Sequence, residues 1–427
     1  MKTNFIEELK WRGMLHDAMP GTEELLNNSV VKGYIGFDPT ADSLGVGNLV
    51  QIMTLMHFQR AGHRPIALIG GATGMIGDPS GKSAERNLLS EETLLHNQQC
   101  QKKQLEKFLD FTGENAAQIV NNYDWFKDFG FLDFIRDVGK RLTINYMMAK
   151  DSVKNRIDGT GEGMSFTEFT YQLIQGYDFY HLCKKEGVML QMGGSDQWGN
   201  ITTGTELIRR MDGGEAFALT TPLIKKADGT KFGKTEGGNI WLDPKRTSSY
   251  KFYQFWLNAA DADAPGYLKI FSLKTKKEIE DIIEQHQIDP GKRLLQKSLA
   301  EEITARVHSE AQLEQAKSAT DLLFGSAGIE ALRTLNDQTI QEVFEGVGSG
   351  RMAKSTLEEG LPIINVLVQS GFLSSNGEAR RALQENSISI NKQKKSQESF
   401  ITRSDLLNNR FLLMQRGKKN YFLLDFY

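Results

Sequence analysis

The stretch VVKGYIGFDPTADSLGVGNLVQIMTLMHFQRAG, residues 30–62, reads as strand, turn and helix in that order. β-Branched and aromatic residues crowd its opening positions, and the run breaks at Asp38-Pro39 as a buried strand entering a turn does. After the turn, Leu49, Ile52, Met53 and Met56 recur at helical spacing until Gly62 stops them. A strand that hands over to a helix through glycines aims backbone N–H groups at an anion. In isolation, Gly45-Val46-Gly47-Asn48 suits close packing as well as phosphate binding.

Working outward, apolar strands such as RPIALIGG and VMLQMGG alternate with helical stretches such as EETLLHNQQCQKKQLEKFLDF up to about residue 225. Such alternation predicts an α/β fold, a parallel sheet with helices on its faces and ligands at the carboxyl ends of the strands. From Thr247 to about Gly350 the text turns helical, and the glycines of EGVGSGR read as a linker. The remainder reads as two short helices followed by strands. The expected divisions are therefore 1–225, 226–350 and 351–427.

A chain of 427 residues exceeds one core, and 39% hydrophobic with 25% charged residues is ordinary for a globular protein. No apolar run approaches the ~20 residues of a membrane span, and the opening MKTNFIEELKWRGML, with Glu7 and Glu8, is acidic enough to argue against a transit peptide. Cys100 and Cys183 stand far apart without metal spacing, so a reducing cytoplasm with two structural thiols is expected. Residues 351–427 carry 12 lysines and arginines against 7 acidic residues, a net of +5 that leaves −8 on residues 1–350. A basic tail on an acidic body suits either a polyanionic partner or a solvated surface.

Four stretches carry groups for nucleotide and amino-acid binding. GGATGMIGDPSGKSAER sets five glycines around Asp78, then Lys82 and Arg86 four apart on one helical face, without the spacing of a P-loop. In SFTEFTYQLIQGYDF, Tyr171, Gln175 and Asp178 fall on one helical face, and packing alone explains the first but not the two polar groups. LQMGGSDQWGN ends a strand with Gln191, Gly194, Asp196 and Gln197. KKADGTKFGKTEGGNIWL places Lys231 and Lys234 in a glycine-rich loop, suited to a mobile clamp over a polyphosphate or to a solvated surface.

The seven histidines form no Ser-His-Asp or Cys-His pattern and no metal cage. One reaction fits that lack: a substrate carboxylate attacks the α-phosphorus of ATP and expels pyrophosphate. Positioned cations and amides suffice for it, with no protein nucleophile or base.

YIGFDPTADSL, GGATGMIGDPSGK, SFTEFTYQLIQGYDF, GGSDQWGNIT and KFGKT, in that order, resemble bacterial tyrosyl-tRNA synthetases over essentially the whole chain. The resemblance implies a Rossmann-like catalytic domain, a helical anticodon-side domain and a small α+β S4-like RNA-binding domain. It also implies a homodimer, off the membrane, whose partners are L-tyrosine, ATP with Mg2+ as counter-ion, and tRNA(Tyr). Carried over by position, Tyr34 and Asp178 would hold the phenolic hydroxyl, and Asp78, Tyr171 and Gln175 the ammonium. Gln197 would lie near the carboxylate, with Gln191 a further pocket contact. Asp38, Gly194 and Asp196 would touch the adenylate, while Thr40, Lys82, Arg86, Lys231 and Lys234 would surround the pyrophosphate. In the tail, Arg380, Arg381, Arg416, Lys418 and Lys419 would meet RNA.

One departure bears on catalysis. Gly45-Val46-Gly47-Asn48 stands where the resemblance places His-x-Gly-His, so both histidines are absent. Gly47 still permits close backbone approach to the nucleotide, and Asn48 exchanges an imidazole N–H for an amide N–H. Gly45 offers no donor. The expectation is a slowed enzyme, or alternatively a catalytically weak RNA-binding relative of one.

Overall fold

A computed structural model describes residues 4–427 apart from 81–87, 158–162, 236–237, 325–331, 334, 346 and 418–419. Lys82, Arg86, Lys418 and Lys419 therefore lie outside the described residues. Contacts divide the chain into one unit of Met1–Arg246 with Leu257–Ile303 and another of Thr247–Trp256 with Thr304–Tyr427.

In the first unit, β2 (Lys32–Phe37) pairs in parallel with β3 (Arg64–Ile69) on one side and β5 (Val188–Gly194) on the other. β4 (Gln118–Asn121) extends the sheet beyond β3, and β6 (Phe217–Thr221) extends it beyond β5. The two-residue β1 (Asp17–Ala18) closes the β6 edge antiparallel. The strands are apolar on consecutive positions because helices cover both faces. Helix Val46–Arg60 buries Leu49, Ile52, Met53, Leu55 and Phe58. The alternation of the sequence up to residue 225 is thus realised as a parallel α/β sheet.

Helix Phe166–Glu186 is fixed at both ends. Ser165 and Glu168 form a reciprocal capping box at its start, and Gly187 ends it in the left-handed region at φ 69°. Glu168 also accepts both arms of the buried Arg156 guanidinium, at 3.0 Å each. A charge-assisted pair of that geometry holds the helix register firmly.

The second unit centres on a sheet in the order 393–394, 388–390, 411–416, 420–426, 348–352. The expectation that EGVGSGR is a linker is overturned: Gly348–Met352 is a strand, parallel to Asn420–Phe426. Its glycines serve packing. A Cβ on Gly348 would stand 2.8 Å from the Phe422 ring, and one on Gly350 would stand 2.6 Å from the Ser370 carbonyl oxygen. One core joins Leu407, Phe411, Leu413 and Leu423 to Tyr250, Ile340 and Phe344, so residue 350 falls inside a packed unit. Among the described residues, no helix is long and apolar enough to cross a membrane.

Candidate functional site

Parallel strands end at one edge, and the side chains singled out from four separate stretches meet there. Tyr34, Asp38, Thr40, Gly47, Asn48, Asp78, Tyr171, Gln175, Asp178, Gln191, Gly194, Asp196 and Gln197 line a single cavity. Gln51, Thr73, Met192 and Leu223 line it as well, and sequence reasoning missed them.

The deep end is built on Asp178, 1% exposed. Its two carboxylate oxygens accept from Asn122 Nδ2 at 3.0 Å and Trp125 Nε1 at 2.9 Å. Burial pushes this carboxyl up to about 8, and the two donors oppose that shift without cancelling it. Beside it, the Tyr34 hydroxyl is buried with no hydrogen-bond partner among the described residues. Burial first, and Asp178 second, raise its pKa well above the ordinary phenol value. The Tyr34 ring meets Phe179 edge-on at 5.5 Å, which leaves the hydroxyl little freedom.

A hydrogen-bonded chain ties this end to the middle of the cavity. Tyr171 donates to Asp38 at 2.9 Å, Thr73 donates to the other Asp38 oxygen at 2.7 Å, and Asn122 donates to Thr73 at 3.1 Å. Asp78 accepts from Gln197 Nε2 at 2.7 Å and from the Ser80 N–H at 2.9 Å, with Asn200 at 3.4 Å. Carboxylates gathered around an open centre suit an ammonium group, and the amides beside them suit a carboxylate. Gln191 adds a buried carbonyl oxygen with no partner among the described residues.

At the mouth, Gly45 is extended, φ −98° and ψ 171°, and caps helix Val46–Arg60. Its N–H donates to Asn48 Oδ1 at 3.0 Å. The backbone beside it is stitched to the stretch after the lysine loop, because Val46 N–H donates to Ile240 at 3.0 Å and Leu242 N–H donates to Leu44 at 2.8 Å. A Cβ on Gly45 would stand 3.3 Å from the Ile240 oxygen. Gly45 does not line the cavity, and neither do Lys231 and Lys234, both exposed. The lysine loop is a hairpin, Lys234–Thr235 against Gly238–Asn239. Between the two lysines Phe232 anchors it, 5.5 Å from the Phe271 ring and 5.0 Å from Tyr267.

Comparisons with known proteins identify the family. Residues 26–325 match the family model for tRNA synthetases class I (W and Y), and residues 339–424 match that for the tyrosine--tRNA ligase SYY-like C-terminal domain. The chain is 62% identical to tyrosine--tRNA ligase of Flavobacterium johnsoniae and 61% identical to that of Bacteroides thetaiotaomicron, over 99% of both sequences in each case. The solved structure of a C-terminally truncated mitochondrial tyrosyl-tRNA synthetase from Aspergillus nidulans superposes with a TM-score of 0.68 at 31% identity, covering 75% of this chain and 94% of that one.

The raised Asp178 carboxyl has a pH signature. Its folded-state pKa of about 8 lies above the ordinary 3.8, so its contribution to stability is full below pH ~4 and is lost as pH rises through about 8. Asp178→Asn removes that loss but leaves one of its two donors without an acceptor. The variant is expected to melt below the parent at pH 5, with the gap narrowing up to pH ~8 and constant beyond. Thermal unfolding across that range checks it; a gap that does not change with pH would place the proton elsewhere.

Proposed function

The chain belongs to the class I tyrosine--tRNA ligases, and from that premise we propose which of its residues perform each part of the reaction. The activity is ATP-dependent attachment of tyrosine to tRNA. Tyr34 and Asp178 receive the phenolic hydroxyl, and the carrying observation is the buried, unpartnered Tyr34 hydroxyl beside a buried carboxyl. Asp78, Tyr171 and Gln175 hold the ammonium group, Gln197 orients the carboxylate, and Gln191 completes the pocket. Asp38, Gly47, Gly194 and Asp196 face the adenosine, while Thr40, Asn48, Lys82, Arg86, Lys231 and Lys234 meet the phosphates. Mg2+ arrives as the counter-ion of ATP.

No protein nucleophile is required. The substrate carboxylate attacks the α-phosphorus, pyrophosphate departs, and the adenylate then esterifies the tRNA terminus. What the residues supply is alignment and charge compensation. A homodimer in the cytoplasm is the proposed working form. Phe131, Leu132, Ile144 and Phe166, between 59% and 78% exposed, give a partner copy apolar surface to cover. In the S4-like tail, Arg380 and Arg381 are exposed on helix Asn376–Gln384. Arg416 anchors that helix by donating to Glu378 at 2.6 Å.

Pyrophosphate exchange tests the pocket. Phenylalanine leaves the buried Tyr34 hydroxyl without a partner, at a cost of about 1–3 kcal/mol, while Asp178 keeps only its two protein donors. Exchange should therefore demand tyrosine, and Tyr34→Phe should narrow the preference by roughly 5- to 150-fold. Equal rates with both amino acids would refute the assignment.

Gly45 tests the mouth. A donor that meets charge only in the transition state is worth roughly 10²–10³ in rate. Gly45→His is expected to raise adenylate formation by roughly 10²-fold with little change in tyrosine affinity, once the Ile240 carbonyl yields a few tenths of an ångström. Asn48→His should do far less, because Asn48 Oδ1 already serves the Gly45 N–H. Stopped-flow adenylate formation decides between a missing donor and another limit.

The tail assignment predicts a salt effect. Replacing both Arg380 and Arg381 with alanine should weaken tRNA binding at low salt and reduce the slope of log affinity against log salt by about 1 per residue. Tyrosine-dependent exchange should not change.

A further inference from the structure

Helix Glu91–Leu105 turns an unusual side inward: Asn97, Gln98, Gln101 and Gln104 are all buried where an apolar stripe is ordinary. Three of these amides hold the turn between β2 and Gly45. Asn97 donates to the Pro39 carbonyl and Gln101 to the Ala41 carbonyl, each at 3.0 Å. Gln104 engages both ends of its amide, accepting from the Leu44 N–H at 2.8 Å and donating to Ser43 Oγ at 3.0 Å. Thr40 lies inside the stretch so held.

Ser43 carries the contact onward. Its hydroxyl also accepts from the Asp243 N–H at 3.1 Å and donates to the Leu44 carbonyl at 2.9 Å. A hydroxyl has one hydrogen and two lone pairs, so its capacity is used in full. Leu242 N–H donates to the same Leu44 carbonyl at 2.8 Å, and Ile240 N–H donates to the Gly233 carbonyl at 3.0 Å. Gly233 stands between Lys231 and Lys234 in the hairpin. It is left-handed, φ 79°, and a Cβ there would stand 2.7 Å from Val46 Cγ2 and 3.5 Å from the backbone nitrogen of the cavity-lining Gly47. One buried amide thus ends a chain of contacts that runs from the Thr40 turn to the lysine hairpin.

We propose that Gln104 is a positioning residue for adenylate formation: through Ser43 it sets the Thr40 turn and the hairpin of Lys231 and Lys234 in one fixed relation. Gln104 does not line the cavity, so it acts only through those it holds. Its hydrogen bonds reach neither helix Phe166–Glu186 nor β5, which carry most of the groups assigned to tyrosine. Its loss therefore falls on the phosphate side, where a misplacement of about 1 Å costs on the order of 10² in rate. Tyrosine binding is left as it was.

The inference rests on the assignment of both lysines to the departing pyrophosphate, so the test is a cycle on the full chain. Single-turnover adenylate formation is measured for the parent, Gln104→Leu, the pair Lys231→Ala with Lys234→Ala, and all three changes together. Leucine fills the space of the amide but can bond neither Leu44 nor Ser43. Gln104→Leu is expected to slow the step roughly tenfold or more, with tyrosine affinity by calorimetry changed less than about twofold. Without the two lysines the same substitution should cost less than about threefold, because the charges it placed are gone. A loss that multiplies in full in both backgrounds, no loss in the parent background, or a fall in tyrosine affinity equal to the fall in rate overturns the proposal. The lysine pair at the parental rate overturns instead the assignment on which it stands. If Gln104→Leu does not fold, Ser43→Ala removes the bridging hydroxyl with little change of volume, and the same slowing and the same non-additivity are required of it.

Discussion

The parallel pairing of β2 between β3 and β5 is the constraint on which the site depends. Parallel neighbours send every following segment out of the same edge of the sheet. Asp38 leaves β2 there, the glycines at 70 and 71 leave β3 there, and Gly194 to Gln197 leave β5 there. Residues more than a hundred positions apart, such as Asp38 and Tyr171, then meet at 2.9 Å without any local reason to do so. Antiparallel order would scatter the same groups over two opposite edges.

Within that edge, helix Phe166–Glu186 carries the face of Tyr171, Gln175 and Asp178 that lines the cavity, and its position is held at the N-terminus. Glu168 serves the capping box and the Arg156 fork together, both largely removed from water. A buried pair of this kind loses much when one partner is removed and adds little against an apolar substitute. Its value here lies in registry: a small rotation of the helix would carry Tyr171, Gln175 and Asp178 off the cavity together. The alignment of these cavity side chains therefore begins in a contact outside the cavity.

Much of this was legible in the sequence, for physical reasons. Helical periodicity put Tyr171, Gln175 and Asp178 on one face, and strand runs followed by glycine placed Gln191 to Gln197 at a strand end. Asn122 and Trp125 were not legible. They lie in a short turn and helix after β4, a segment with no periodic signal, and their role exists only because β4 reaches the same edge. Gly348 and Gly350 misled in the opposite sense. Glycine reads as punctuation in a sequence, yet here it makes room for the Phe422 ring and the Ser370 carbonyl inside a strand. Between Lys231 and Lys234, the packing of Phe232 on the Phe271 ring was likewise announced by no local pattern.

Burial divides the labour of the site. Several of the groups assigned to tyrosine are buried and held by protein hydrogen bonds, Asp178 by Asn122 and Trp125 and Asp78 by Gln197, so they need little reorganisation. The loop lysines are exposed, and solvent and salt screen them until a polyphosphate and the closed hairpin exclude water. Interactions that strengthen only as pyrophosphate departs raise the rate without raising affinity. Position 45 belongs with the lysines in this respect. It lies outside the cavity lining, against the stretch that follows their hairpin, so under the proposed assignment the glycine there leaves the tyrosine pocket intact.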